Sequence, residues 1–175
     1  MFNRNLIIIT GQEGAGKSTI CKELLPQTPD AASFDAENVG QTNPWEMNEA
    51  FISLLWKNVA DLTRNFWGAG YKTVIAGSFL TTHDELKKFR EYLPPEASII
   101  VLQLCASKET RDRRRIERSK PTAKEWRDDL DKRYPEDTSL SQAHTEYRYV
   151  RIENSDQSAE ETVRQIQKAL PEIYG

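Results

Sequence analysis

Leu6-Ile7-Ile8-Ile9-Thr10-Gly11-Gln12-Glu13-Gly14-Ala15-Gly16-Lys17-Ser18-Thr19 is the stretch on which the reading of this chain turns. Its first five residues form a continuous apolar, β-branched run, the pattern of a strand buried on both faces of a parallel sheet. The next eight, Gly11 to Ser18, fill the pattern G-x-x-x-x-G-K-[ST], the phosphate-binding or Walker A loop. Gly11, Gly14 and Gly16 permit backbone angles and close approaches that a Cβ would block. Successive N–H groups can then turn inward as an anion nest, from Gly14 and Ala15 through Thr19, and a helix opening at Lys17 adds its positive end. Lys17 is placed to bridge two phosphates and the Ser18 hydroxyl to meet Mg²⁺. Strand before and helix after is the context that separates this motif from a chance glycine-rich turn.

Outward from this loop the chain alternates. Ala31 to Phe34 reads as a short strand closing at Asp35, Thr73 to Ala76 and Ser98 to Leu104 as buried strands, and Tyr147 to Ile152 as a weaker one. Helical patterns lie between them. Lys17 to Leu25 is one. Trp45 to Phe66 sets Phe51, Leu54, Leu55, Val59, Leu62 and Phe66 on one face, with Asn43 as expected cap and Glu46 three positions on. Thr82 to Glu85 and Ser158 to Glu161 are capping boxes, and Thr122 to Glu125 is read as another after Pro121. Strand and helix in alternation predict an α/β fold: a parallel five-stranded sheet with helices on both faces.

At 175 residues, 38% hydrophobic and 29% charged, the chain has the make-up of one globular domain, residues 1–175. The net charge of −3 speaks against a general nucleic-acid or membrane-surface binder. No apolar run approaches the ~20 residues of a membrane span, and the run after Met1 to Asn5 is too short for a signal peptide. Cys21 and Cys105 are read as reduced packing residues, and the cytoplasm is the expected location. His83 and His144 lack a metal-ligand partner at usable spacing and are read as surface residues.

Three further features accompany the loop: an acid closing the second strand, Asp35; arginines concentrated after the fourth strand, at Arg111, Arg113, Arg114, Arg115 and Arg118; and a closing amphipathic helix. Together they resemble the small P-loop kinases, such as shikimate and gluconate kinases and chloramphenicol phosphotransferase. The resemblance spans nearly the whole chain, and it implies a three-layer P-loop fold with a small helical lid, residues 115–137, and ATP with Mg²⁺ as cofactors. It further implies that Asp35 orients the acceptor hydroxyl and helps Ser18 hold the metal, with Glu37 a weaker candidate. By the same resemblance Arg113, Arg114 and Arg118 match the lid arginines, with Arg114 the one acting on the transferred phosphate. Asn154 would lie beside the adenine, although Asn154-Ser155 also reads as a plain helix cap. The partner so implied is a small-molecule acceptor with a hydroxyl group.

The chain departs from the pattern at the end of the third strand, where Gly77-Ser78 stands in place of a metal-holding aspartate. Gly40 to Trp45 and the following helix are expected to line the acceptor site, with Trp45 and Trp56 as walls or core. Two alternatives stay open: a nucleotide sensor that transfers no phosphate, and a kinase of nucleic-acid ends.

Overall fold

A computed structural model describes residues 4–118, 122–142 and 145–175. Five strands, β1 (Asn5–Thr10), β2 (Ala31–Asp35), β3 (Thr73–Gly77), β4 (Ser98–Cys105) and β5 (Arg148–Glu153), form one sheet in the order β2-β3-β1-β4-β5. Every pairing is parallel. The chain runs from β1 to one side and returns across it after β3, so the switch in strand order falls at β1. Ligands bind in the crevice beyond the strand carboxyl ends at such a point.

The sheet is apolar on both faces because alternate residues of each strand serve different layers. Leu6 and Ile8 of β1, Val74 and Ala76 of β3, and Ile99 and Val101 of β4 pack beneath α2 (Glu49–Gly68) and α3 (His83–Arg90). Ile7, Ile9, Ile75, Ile100, Leu102 and Leu104 pack against α1 (Lys17–Leu24) and α6 (Ala159–Ala169). Leu6 to Ile9 are fully buried, and each such side chain contributes about 1.5–3 kcal/mol of transfer free energy. The three-layer α/β fold follows. α4 (Lys108–Ile116) and α5 (Lys124–Arg133) stand at the strand carboxyl ends, and α7 (Pro171–Tyr174) closes the chain.

Thr82 and Ser158 form the capping boxes read from the sequence. Three local expectations are corrected. α2 begins at Glu49, not Trp45: Asn48 is its cap, accepting from the Phe51 N–H at 2.9 Å. Trp45 and Met47 lie outside it, 60% and 58% exposed, with no core beneath that would hold a longer helix. The buried stripe of α2 is Trp56, Val59, Ala60, Thr63 and Trp67, rotated from the expected face. Thr63 tolerates this because its hydroxyl donates to the Val59 carbonyl at 2.7 Å, and the Trp67 indole N–H reaches the Asn5 carbonyl. Finally, α5 starts on Ala123 with no side-chain cap, so the Thr122 box does not form. Pro121 and His144 lie outside the described residues.

Candidate active site

The phosphate loop leaves β1 and ends at Gly16, the residue that caps α1. Gly11 and Gly14 have φ of +139° and +87°, and a Cβ on either would meet backbone: the Leu104 carbonyl oxygen at 2.4 Å and the Arg111 carbonyl oxygen at 2.8 Å. The loop is thus clasped between β4 and α4. The Lys17 ammonium donates to the carbonyls of Gly11 and Gln12 at 2.9 and 3.3 Å. Burial pushes Lys17 below its ordinary pKa, against the opposing pull of Glu13 and Glu37.

Asp35 ends β2 opposite Gly77 of β3. One of its carboxylate oxygens accepts the Glu37 N–H at 3.0 Å, shaping the turn that follows. The other accepts the Ser18 hydroxyl at 3.2 Å. Seventeen positions apart in sequence, the two expected metal-side residues are brought together beside Lys17. The glycine opposite leaves the space filled by Cys21, whose Sγ would lie 3.1 Å from a Cβ at Gly77. Burial and the Asp35 charge push the Cys21 thiol up to about 12, and burial with the Glu136 contact does the same at Cys105. Both remain inert thiols, as packing residues are.

Two clefts flank the loop. The larger, about 540 Å³, opens over Lys17 and Glu37 between the segment after β3 (Ser78 to Thr82) and the end of α5 with the turn beyond it. Its walls are pinned from the sheet: the Thr10 hydroxyl donates to the Leu80 carbonyl at 2.6 Å, and the Gln103 amide to the Asp137 carbonyl at 2.9 Å. The Gln12 side chain donates to the Tyr134 carbonyl at 3.1 Å, tying the loop to the end of α5. Contrary to expectation, neither Gly40 to Trp45 nor α2 lines this cleft, and Trp56 is core. The smaller cleft, about 360 Å³, lies across the loop and is lined by Gly14, Ala15, Gly16 and Thr19 with Arg114, Arg118 and Asn154.

The arginines of α4 divide by position. Arg114 donates to the Ala15 and Asn154 carbonyls at 3.2 and 2.8 Å. Arg118 is exposed and pairs with the Glu13 carboxylate. Burial tends to raise the Glu13 carboxyl, but the Arg118 hydrogen bond and the charges of Lys17 and Arg115 outweigh it and hold the group below its ordinary value. Arg113 is exposed and lines neither cleft. Sequence reasoning missed the function of Arg111 and Arg115, which are buried. Both pair with Asp131 of α5, at 2.7 and 2.8 Å, and both donate to the Glu13 carbonyl. Their four-residue spacing was the available signal, since it puts them on one face of α4. Asn154 is 2% exposed, its amide donating to the Ala15 carbonyl at 2.9 Å. It is not a helix cap, because Ser158 caps α6.

Solved structures of the same fold include a sugar kinase from Janibacter sp. HTCC2649, with TM-score 0.70 and 17% identity over 97% of this chain and 95% of that one. A gluconokinase from Sinorhizobium meliloti 1021 matches with TM-score 0.68 and 14% identity over 98% and 93%. The tunicamycin resistance protein of Deinococcus radiodurans matches with TM-score 0.62 and 14% identity over 96% of each chain. The fold is that of the small P-loop kinases. No protein-family model matches the sequence, and no curated protein sequence matches it either. Among the described residues no helix is long and apolar enough to cross a membrane.

Proposed function

We propose that this protein is an ATP-dependent phosphotransferase that moves the γ-phosphate onto a hydroxyl of a small molecule. The observation that carries this reading is the Ser18–Asp35 contact at 3.2 Å, next in the chain to Lys17 and close to Glu37, which line a cleft large enough for an acceptor. A plain nucleotide sensor has no need of such a cleft beside its phosphate loop.

ATP takes its phosphates on Gly11 to Thr19 and extends along the smaller cleft past Arg114 and Asn154. A hydroxyl and a carboxylate are hard oxygen donors suited to Mg²⁺, which keeps several waters and shares its remaining sites with phosphates. Ser18 and Asp35 would hold it, and it would supply neutralisation of charge on the phosphate oxygens. The Lys17 ammonium neutralises charge on the same group, and phosphoryl transfer depends chiefly on such positioning and electrostatics. Asp35 orients the acceptor hydroxyl. The acceptor oxygen bonds to the γ-phosphorus as the bond to the bridging oxygen breaks, ADP departs with that electron pair, and the hydroxyl proton passes to Asp35 or water.

ADP release measured against a panel of sugars, cyclitols, nucleosides and antibiotics tests the reading, with Lys17→Ala and Asp35→Ala beside it. Acceptor-stimulated release that both substitutions abolish is the expected result. Tight nucleotide binding that no acceptor converts to turnover would support a sensor instead.

A further inference from the structure

The two clefts beside the phosphate loop differ in charge. The smaller presents Arg114 and Arg118 with one acid, Glu117. The larger presents the carboxylates of Glu13, Glu37, Asp131, Glu136 and Asp137, with Lys17 and Arg133 as its cations. The arginines that balance these acids stand behind the wall: Arg118 on Glu13, Arg111 and Arg115 on Asp131, Arg151 on Glu136. None of those four lines the larger cleft. Arg133 is engaged by Asp129. Glu37 has no ion-pair partner among the described residues.

We propose that the acceptor is a polyhydroxylated molecule bearing an ammonium group, and that Glu37 recognises the ammonium. This rests on the phosphotransfer reading above and narrows its substrate class. Ionised carboxylates only accept hydrogen bonds, so a ligand that matches this wall must donate them, as hydroxyl and ammonium groups do. A sugar acid or a nucleotide would bring an anion against Glu37 and Asp137, the lining acids with no ion-pair partner among the described residues, a juxtaposition that specific sites use to reject partners. Lys17 offers such an anion nothing, being committed to the phosphates of the nucleotide. The bound nucleotide is itself anionic and deepens the same bias. The side chains of Ser78, Thr81 and Thr82 supply hydroxyl partners on the facing wall.

The test uses matched series that keep the carbon skeleton and change the charge: glucosamine, glucose and gluconate, and an aminocyclitol, inositol and quinate. ADP release is followed with the wild type and with Glu37→Gln. The amine member is expected to show a KM about ten-fold below its neutral counterpart, the scale of one charge-assisted hydrogen bond. Glu37→Gln should erase that preference while moving the KM of the neutral member less than about two-fold. Turnover driven best by the acids, or equal KM for amine and neutral members, overturns this inference and leaves the phosphotransfer reading standing. Release that no acceptor of any charge raises overturns both. A Glu37→Gln variant that keeps the amine preference overturns the assignment of Glu37.

Discussion

The buried guanidinium of Arg115 donates to the backbone carbonyl of Glu13 at 2.6 Å, so a side chain of α4 holds the middle of the phosphate loop. The same group reaches Asp131 at 2.8 Å and Asp112 at 3.2 Å, which makes loop, α4 and α5 one charged unit. Asp131 keeps Arg111, but Arg115→Met strips the Glu13 carbonyl of its short hydrogen bond and both aspartates of a buried cation, and is therefore expected to cost about 3 kcal/mol. In a chain of this size that lowers Tm by roughly 6–12 °C. Arg115→Lys keeps the charge but loses the fork that spans loop and helix, and should fall between the two. Thermal and urea unfolding of the three proteins check this, with nucleotide affinity falling in the same order.

Gly11 gives a second stability prediction. Its φ of +139° and a Leu104 carbonyl oxygen 2.4 Å from any added Cβ leave no room for a side chain. Gly11→Ala is expected to cost about 2 kcal/mol or more, since both backbone strain and a backbone clash must be absorbed. The loop can relieve these only by shifting, so nucleotide affinity should drop as well. A variant with wild-type Tm and wild-type affinity would contradict the clasp described here.

The contact between α4 and α5 should depend on pH at both extremes. Hydrogen bonds from Lys108 and Lys124 hold Asp128 down to about 2. Burial works against Asp112 and Asp131, yet ion pairs with Lys108, Arg111 and Arg115 keep both below the ordinary carboxylate value. Depressed carboxyls contribute stability that is full above their unfolded value and is lost as pH falls through the folded one. Lys108 is raised by its bonds to Asp112 and Asp128, so its contribution is full below its unfolded value and lost as pH rises through the folded one. Docking of α5 should thus hold from weakly acidic to weakly alkaline solution and loosen toward pH 2. The indole resonance of Trp126, on α5, reports the transition by NMR. Lys108→Met should move the acid limb to higher pH.

Much of this architecture was readable because the signals are local. The run from Leu6 to Ile9, the glycines of the loop and the boxes at Thr82 and Ser158 each state their conformation within a few residues. The start of α2 was not readable, because Asn43 and Asn48 both offer a cap and only the absence of core beneath Trp45 and Met47 decides between them. The arginines of α4 show the same limit more sharply. A helix so polar presents no apolar stripe, and its inward face is set by Asp131, which lies beyond the helix and is joined to it by no local pattern. Asp35 and Ser18 were nominated separately by motif and resemblance; their contact depends on β2 being carried past β3, a matter of topology.

The last prediction separates the two functions assigned to that contact. Asp35→Asn can keep its one amide oxygen on the Glu37 N–H and turn its NH2 to donate to the Ser18 hydroxyl oxygen, so the turn after β2 should survive and Tm should move little. It removes the charge proposed to orient the acceptor and attract the metal. A positioned carboxylate acting on a proton contributes about 10²–10⁴ in rate, and kcat should fall by that order while the KM for ATP changes far less. Lys17→Ala should behave differently, weakening nucleotide binding together with kcat, since the ammonium in the proposed site would meet the phosphates in ground and transition states alike. Steady-state kinetics at several Mg²⁺ concentrations distinguish the two variants. If Asp35 helps to hold the metal, Asp35→Asn shifts the half-saturating Mg²⁺ concentration upward. An unchanged Mg²⁺ dependence with reduced kcat assigns Asp35 to the acceptor alone, and an unchanged kcat removes it from the site.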